Sequence, residues 1–70
     1  MDRVPVSSSH ITSVGYDPGS RVMHIEFHNG DIYEYKGVAE YHNNQLLNAA
    51  SAGKHFHRNF KPNYEGVKIN

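Results

Sequence analysis

A short basic stretch between residues 54 and 61 contains the side chains whose types and spacing point most directly to chemistry. Four candidate nucleic-acid-binding residues lie there, with no acidic residue between them: Lys54, His57, Arg58 and Lys61. On a helical wheel with Phe56 at 0°, Phe60 lies at about 40° and the three cations lie at about 140–200°. The spacing predicts a helix that two phenylalanines anchor, with the cations projecting from the other side. Such a cluster could bind phosphates, although a solvated basic helix face would show the same pattern.

Tyr33 and Tyr35 form a second, aromatic candidate, whose role depends on the register of a predicted hairpin. On an uncovered sheet face these rings could stack on unpaired RNA bases. The hairpin turns at Asn29–Gly30, a strong turn signal. Its two-residue form would turn the tyrosines away from the other large apolar groups, whereas a three-residue form with a glycine bulge sets them opposite Ile25 and Met23. Because the bulged form gathers the apolar residues on one face, we predict that both tyrosines are core residues rather than a stacking platform.

The six histidines do not have the spacing of a metal site. His24 and His28 lie on a predicted strand, where four residues span ~13 Å, too far to share one ion. His55 and His57 lie on a predicted helix, where residues two apart point in different directions. The chain has no cysteine, which excludes disulfides and thiolate zinc sites. We predict no metal and no cofactor.

Catalytic residue patterns are also missing from the sequence. The serines at 7–9 and His10 supply a hydroxyl and an imidazole, but neighbours on an extended segment cannot form an oriented triad. There is no Gly-x-Ser-x-Gly elbow and no glycine-rich loop leading into a helix. We therefore predict that the protein is not an enzyme and has no small-molecule substrate.

Length and composition limit the class of protein further. Seventy residues make one domain, and seven basic residues balance seven acidic ones, which argues against strong nonspecific nucleic-acid binding. The N-terminal residues contain no long apolar run, and nowhere do ~18 consecutive apolar residues occur, so we expect neither a signal peptide nor a membrane anchor. Together with the lack of cysteine, these features favour a cytoplasmic protein.

The elements that must position these residues can be read from the periodicity. Residues 1–9 read as an irregular lead-in, and residues 10–70 as a single domain. Three strands are predicted at about residues 10–16, 21–28 and 31–36, followed by helices at about 38–50 and 51–60. A further short strand through Val67 and Ile69 is an option for the tail. The fold class is α+β: a three-stranded antiparallel β-meander followed by two α-helices packed on one sheet face.

The order of these motifs resembles the KTSC domain over roughly residues 6 to 65. The resemblance rests on four groups of residues: Ile11, Val14, Gly15, Tyr16, Asp17 and Pro18; Ile25, Phe27, Gly30, Tyr33 and Tyr35; Val38, Leu46, Leu47 and Ala49; and Ser51, Gly53, Phe56 and Tyr64. The domain takes its name from its place at the C-terminus of some lysyl-tRNA synthetases, and it also occurs as a stand-alone bacterial and phage protein. The resemblance implies this fold, and the attachment to a tRNA enzyme suggests RNA binding.

Three residues depart from the usual pattern of that family. Ala39 stands where proline is common, His42 where an apolar residue is expected, and His57 where asparagine is frequent. The first two substitutions concern the fold only slightly. A ligand contact through His57 would be a property of this member of the family.

Two functional hypotheses follow from these observations. The first is a noncatalytic binding module that weakly binds RNA, tRNA-like, through the basic helix. The alternative is a protein–protein interaction module that uses an uncovered sheet face or an edge strand, with contacts through His24, Glu26 and His28. A pH-responsive module is a third hypothesis, because histidines gain charge below neutral pH.

Overall fold

Five antiparallel strands form one sheet, in chain order, in the computed structural model, which describes residues 1–70. The strands are β1 (Arg3–Pro5), β2 (Ile11–Asp17), β3 (Val22–Phe27), β4 (Ile32–Tyr35) and β5 (Gly66–Lys68). Between β4 and β5 lie α1 (Glu40–Asn48) and α2 (Ala52–His55), and α2 continues directly into one π-helical turn, Phe56–Phe60. The predicted α+β class and the central meander are confirmed.

The sheet has five strands rather than the predicted three, because both termini add an edge strand. β1 lies within residues 1–9, which we predicted to be irregular, and it pairs with β2 so that Val4 lies opposite Val14. It is only three residues long, so its sequence has no readable period. It also contains Pro5, a residue that an edge strand tolerates. β5 pairs with β4 and includes Val67 of the optional tail strand, although Ile69 lies beyond its end.

The β3–β4 hairpin has the predicted bulged register. Tyr35 lies opposite Met23 and Tyr33 lies opposite Ile25. Gly30 has a φ of 91° in the turn, a left-handed conformation that a residue with a side chain adopts only with strain. Because opposite residues share a face, both tyrosines point to the same side of the sheet as the large apolar residues of β3.

The helices cover this apolar side, and the core lies between them and the sheet. Its buried members are Ile11, Val14, Met23, Ile25, Tyr35, Val38, Leu46, Ala52, Phe56 and Phe60. The inward direction of the two phenylalanines is confirmed, since Phe56 is 7% and Phe60 1% exposed. No helix lies on the opposite face of the sheet, which we call the open face; Ser13, His24, Glu26 and Glu34 belong to it.

Both predicted helices differ in detail from the structure. α1 is shorter than residues 38–50, because the backbone becomes extended at Ala49, with φ −68° and ψ 144°. Ala50, predicted on the buried face, is therefore exposed, whereas Val38 is buried although it precedes the helix. The second helix is not regular throughout: the Lys61 N–H donates to the Phe56 carbonyl at 3.1 Å, an i to i+5 bond that defines a π turn.

Candidate nucleic-acid interface

All four predicted nucleic-acid-binding residues line one cleft of about 670 Å³. They form one wall, which we call the cationic wall: Lys54, His57, Arg58 and Lys61. Ser9 and His10, at the start of β2, also line the cleft. The apolar residues of its lining are Ile11, Phe27 and Phe56. The basic stretch is therefore part of a concave site rather than a flat helix surface.

Three residues of the second helical segment explain how the cationic wall is held in place. The Ser51 hydroxyl accepts the Lys54 backbone N–H at 3.4 Å and caps the start of α2. A Cβ on Gly53 would lie 2.9 Å from Ser8 Oγ, so the lack of a side chain lets the helix approach the segment before β2. Phe56 then packs into the core, where its ring meets Tyr35 edge-on. The Ser-x-Gly-x-x-Phe pattern thus caps the helix, allows the approach and anchors the helix.

The opposite wall is fixed by hydrogen bonds of the segment before β2. Ser8 Oγ accepts the backbone N–H groups of His10 and Ile11, each at 3.2 Å. The His28 N–H donates to the His10 carbonyl at 3.0 Å, and its Nε2 contacts the Ser8 carbonyl at 2.7 Å. These bonds tie the segment to the end of β3, and they leave the His10 ring exposed at the cleft.

The three cations of the cleft have no acidic partner within the protein. The ion pairs of the structure all lie elsewhere: Arg3 with Glu26 at 3.7 Å, His24 with Glu34 at 2.9 Å, and Lys68 with Asp31 at 3.5 Å. Lys54, Arg58 and Lys61 are exposed to solvent. A net charge of zero therefore coexists with a local excess of positive charge, because no acidic side chain forms an ion pair with a cation of the cleft.

Tyr33 and Tyr35 lie apart from the cationic wall, on the helix-covered side of the sheet. Tyr35 is 5% exposed, and burial, with a smaller contribution from the charge of Tyr33, raises its pKa to about 12. Tyr33 is half-buried, with its ring edge-on to Phe27 at 5.7 Å. The structure thus places both rings where the bulged register predicts them and away from the open face.

Sequence reasoning missed the contribution of residues 9 and 10 to this site. We noted Ser9 and His10 only as an unsuitable catalytic pair, and their sequence distance from the basic stretch gave no sign that the two segments meet. Gly53 was the available signal, because a glycine in a helix often marks the close approach of another segment. The helical wheel also predicted that the cations project from the side of the helix opposite the phenylalanines. In the structure, Phe56 and the cations line the same cleft.

The structure has neither a cluster of metal-ligating side chains nor a membrane-spanning helix. No group of three or more histidine, aspartate or glutamate side chains is arranged to hold a metal ion. None of the helices has both the length and the apolar character that crossing a membrane requires.

Comparison with known proteins places this chain in a family. The profile of the KTSC domain matches residues 7–64. An uncharacterized protein from Stutzerimonas stutzeri is 41% identical over 64 residues, covering 91% of this chain and 90% of its own length. The crystal structure of a KTSC domain protein from Yersinia pestis superimposes with a TM-score of 0.91 at 40% identity, covering 99% of this chain and 97% of the other.

A more distant relative is a much larger protein. The lysine–tRNA ligase of a Nostoc species is 35% identical over 57 residues, which are 81% of this chain and 10% of the ligase. Most of this chain is therefore similar in sequence to a small part of that ligase. On the profile match and the near-complete overlap with its relatives, the chain belongs to the KTSC domain family.

Proposed function

We propose that this protein is a noncatalytic module that weakly binds RNA through the cationic wall of the cleft. The observation that carries the proposal is the convergence of Lys54, Arg58 and Lys61, none of them in an ion pair, along one wall. Cations without internal partners are available to phosphates. His57 lies among them, exposed and without a side-chain hydrogen bond, and would add a fourth contact.

The strength of this interaction follows from the number of charges. Each phosphate neutralised by a lysine or arginine releases condensed counterions, so affinity falls as salt rises. Three contacts give a slope of log K against log salt of about −2 to −3. A fourfold rise in salt would then weaken binding roughly 16- to 64-fold.

The family context supports RNA, and a tRNA-like ligand in particular. A relative of this domain occupies a tenth of the length of a lysine–tRNA ligase, an enzyme whose substrate is tRNA. A stand-alone copy of such a domain would retain a weak RNA contact without the catalytic part. The proposal implies a cytoplasmic protein, because that is where tRNA functions.

The arrangement of hydroxyl and imidazole groups supports a noncatalytic role. Thr12 Oγ1 contacts His28 Nδ1 at 2.8 Å, a hydrogen bond like the one between a nucleophilic hydroxyl and its general base. The other ring nitrogen of His28 contacts the Ser8 carbonyl rather than a carboxylate, and the pair lies outside the cleft. A triad needs a third group that orients the base next to a substrate site, and no such group is present here.

Titration with unmodified tRNA, followed by amide NMR shifts at two salt concentrations, tests the proposal. Salt-sensitive shifts should appear in residues 51–64. Lys54→Gln and Lys61→Gln should each reduce the salt slope by about 1. Lys36→Gln is the matched control, because Lys36 is an exposed lysine outside the cleft. Absence of salt-sensitive shifts in residues 51–64, or equal effects of Lys36→Gln and Lys54→Gln, would refute the proposal.

A protein–protein interaction module is the second candidate function. Val67, at 55%, and Ile69, at 45%, are among the most exposed large apolar residues of the chain, and they lie along the β5 edge. An edge strand with apolar side chains can pair with another strand. This function would show itself as association in sedimentation runs that increases with concentration and does not respond to RNA.

A further inference from the structure

We propose that the cleft takes an unpaired RNA nucleotide, whose phosphates contact the cationic wall and whose base contacts the imidazole rings of His10 and His57. The inference rests on the proposed function and names the form of RNA that the cleft would accept. His10 is thereby a binding residue that sequence reasoning did not identify.

The hydrogen bonding of the histidines is the observation behind this proposal. Four of the six side chains are hydrogen-bonded within the protein: His24 to Glu34, His28 to Thr12 and the Ser8 carbonyl, His42 to Tyr64, and His55 to Asn59. The remaining two, His10 and His57, have exposed side chains without such bonds, and both line the cleft. The histidines free to meet a ligand are thus the two that the cleft brings together.

The shape of the cleft favours an unpaired base over a duplex. Its volume of about 670 Å³ lies within the range of small-ligand sites, roughly 300–1,000 Å³. A base within a duplex is stacked and paired, so it cannot enter a concave site, whereas an unpaired base can be splayed out and stacked on aromatic rings such as imidazole. The half-buried ring of Phe27 offers it an apolar contact within the cleft.

The position of His10 is set by the close approach described above. Its Cδ2 lies 3.5 Å from the place where a Cβ on Gly53 would be, so the ring packs next to α2. Lys54 follows Gly53 directly in the chain. A nucleotide whose base contacts His10 would therefore have its phosphates within reach of the cationic wall. Because every base has a π face, we expect little preference between bases.

Binding of a short oligouridylate strand should be compared with binding of the blunt duplex that it forms with oligoadenylate, by fluorescence anisotropy at low salt. We expect the single strand to bind at least about tenfold more tightly than the duplex. His10→Ala should weaken single-strand binding by roughly fivefold or more and leave duplex binding unchanged. His10→Phe should retain single-strand binding, because it keeps an aromatic ring. Tyr41→Ala, which removes an exposed aromatic ring outside the cleft, is the control and should have no effect.

The outcomes separate this inference from the proposed function. Equal affinity for strand and duplex, or single-strand binding that His10→Ala leaves unchanged while Lys54→Gln weakens it, would overturn the single-strand site and leave RNA binding in place. Failure of both RNAs to bind would refute both.

Discussion

The two faces of the sheet use their charged residues in opposite ways. On the open face the charges have partners: Glu34 contacts His24 at 2.9 Å, and Glu26 contacts Arg3 at 3.7 Å and accepts the Ser13 hydroxyl at 3.2 Å. On the helix-covered side the cations of the cleft have no acidic partner. One face satisfies its polar groups internally, whereas the other leaves them available.

This difference shows that the net charge of so small a domain does not describe the charge of a particular surface. A formal charge of zero argued against strong nonspecific nucleic-acid binding, but Glu26, Glu34 and Asp31 form their ion pairs away from the cleft. What a phosphate would meet is the local surface, where Lys54, Arg58 and Lys61 lie together. The pairing of charges, rather than their sum, distinguishes the face whose cations remain unpaired.

The largest difference between the faces should appear when apolar side chains are truncated. Phe60 is 1% exposed on the covered side, and Phe60→Ala should lower the free energy of unfolding by about 3–5 kcal/mol through the cavity it leaves. Val67 is 55% exposed on the open face, and Val67→Ala should change the free energy of unfolding by no more than about 0.5 kcal/mol. Urea unfolding of both variants measures the contrast, and similar losses would contradict it.

Alkaline pH should destabilise the covered side through Tyr35. Because burial raises the pKa of Tyr35 in the folded protein to about 12, the folded state favours the neutral phenol. The resulting stability is fully present below about pH 10, the pKa of the unfolded chain, and is lost as the pH rises towards 12. The loss should be on the order of 2 kcal/mol.

Unfolding curves between pH 9 and 12 check this prediction. Tyr35→Phe should flatten the pH dependence, because no phenol remains at that site to ionise. Tyr41→Phe is the matched control, since it removes an exposed phenol on α1, and it should keep the wild-type profile. A Tyr35→Phe variant with an unchanged profile would show that the buried phenol does not contribute.

Two glycines, one beside the cleft and one on the open face, allow the two sides to be compared by how closely another segment approaches the backbone. A Cβ on Gly53 would meet Ser8 Oγ at 2.9 Å, whereas a Cβ on Gly15, on the open face, would meet Met1 Sδ at 3.0 Å and Arg3 Cγ at 3.2 Å. Ser8 is held by two backbone hydrogen bonds, but Met1 and Arg3 have long side chains that can move. Gly53→Ala should therefore cost about 1–2 kcal/mol of unfolding free energy, and Gly15→Ala less. The reverse order would contradict this account of the cleft wall.

The smallest effect is expected at the charge pair of the open face. Glu34→Gln removes the partner of His24, and for a partly exposed pair we expect a loss below about 1 kcal/mol. RNA binding should not change, because neither residue lines the cleft. Weaker RNA binding in this variant would mean that the open face takes part in binding.

Local patterns in the sequence were enough for much of the fold. Alternation in β3, the Asn29–Gly30 turn and the need to gather large apolar groups predicted the register of Tyr33 and Tyr35. The i, i+4 spacing of Phe56 and Phe60 predicted that both rings point inward. Of the edge strands, β5 was predicted only as an option and β1 not at all, because three-residue strands have no period and are formed by pairing with a longer neighbour.

For the candidate site, the sequence by itself determined which residues carry charge and which side of their helix faces the core, because both depend on residue type and short-range spacing. Only the tertiary structure decided that the cations lack partners and that His10 joins them across a cleft. Those facts depend on contacts between segments far apart in the chain, namely residues 8–10 with Gly53, Arg3 with Glu26, and Lys68 with Asp31. Such contacts are set by how the sheet and helices pack as a whole, and no local pattern encodes them.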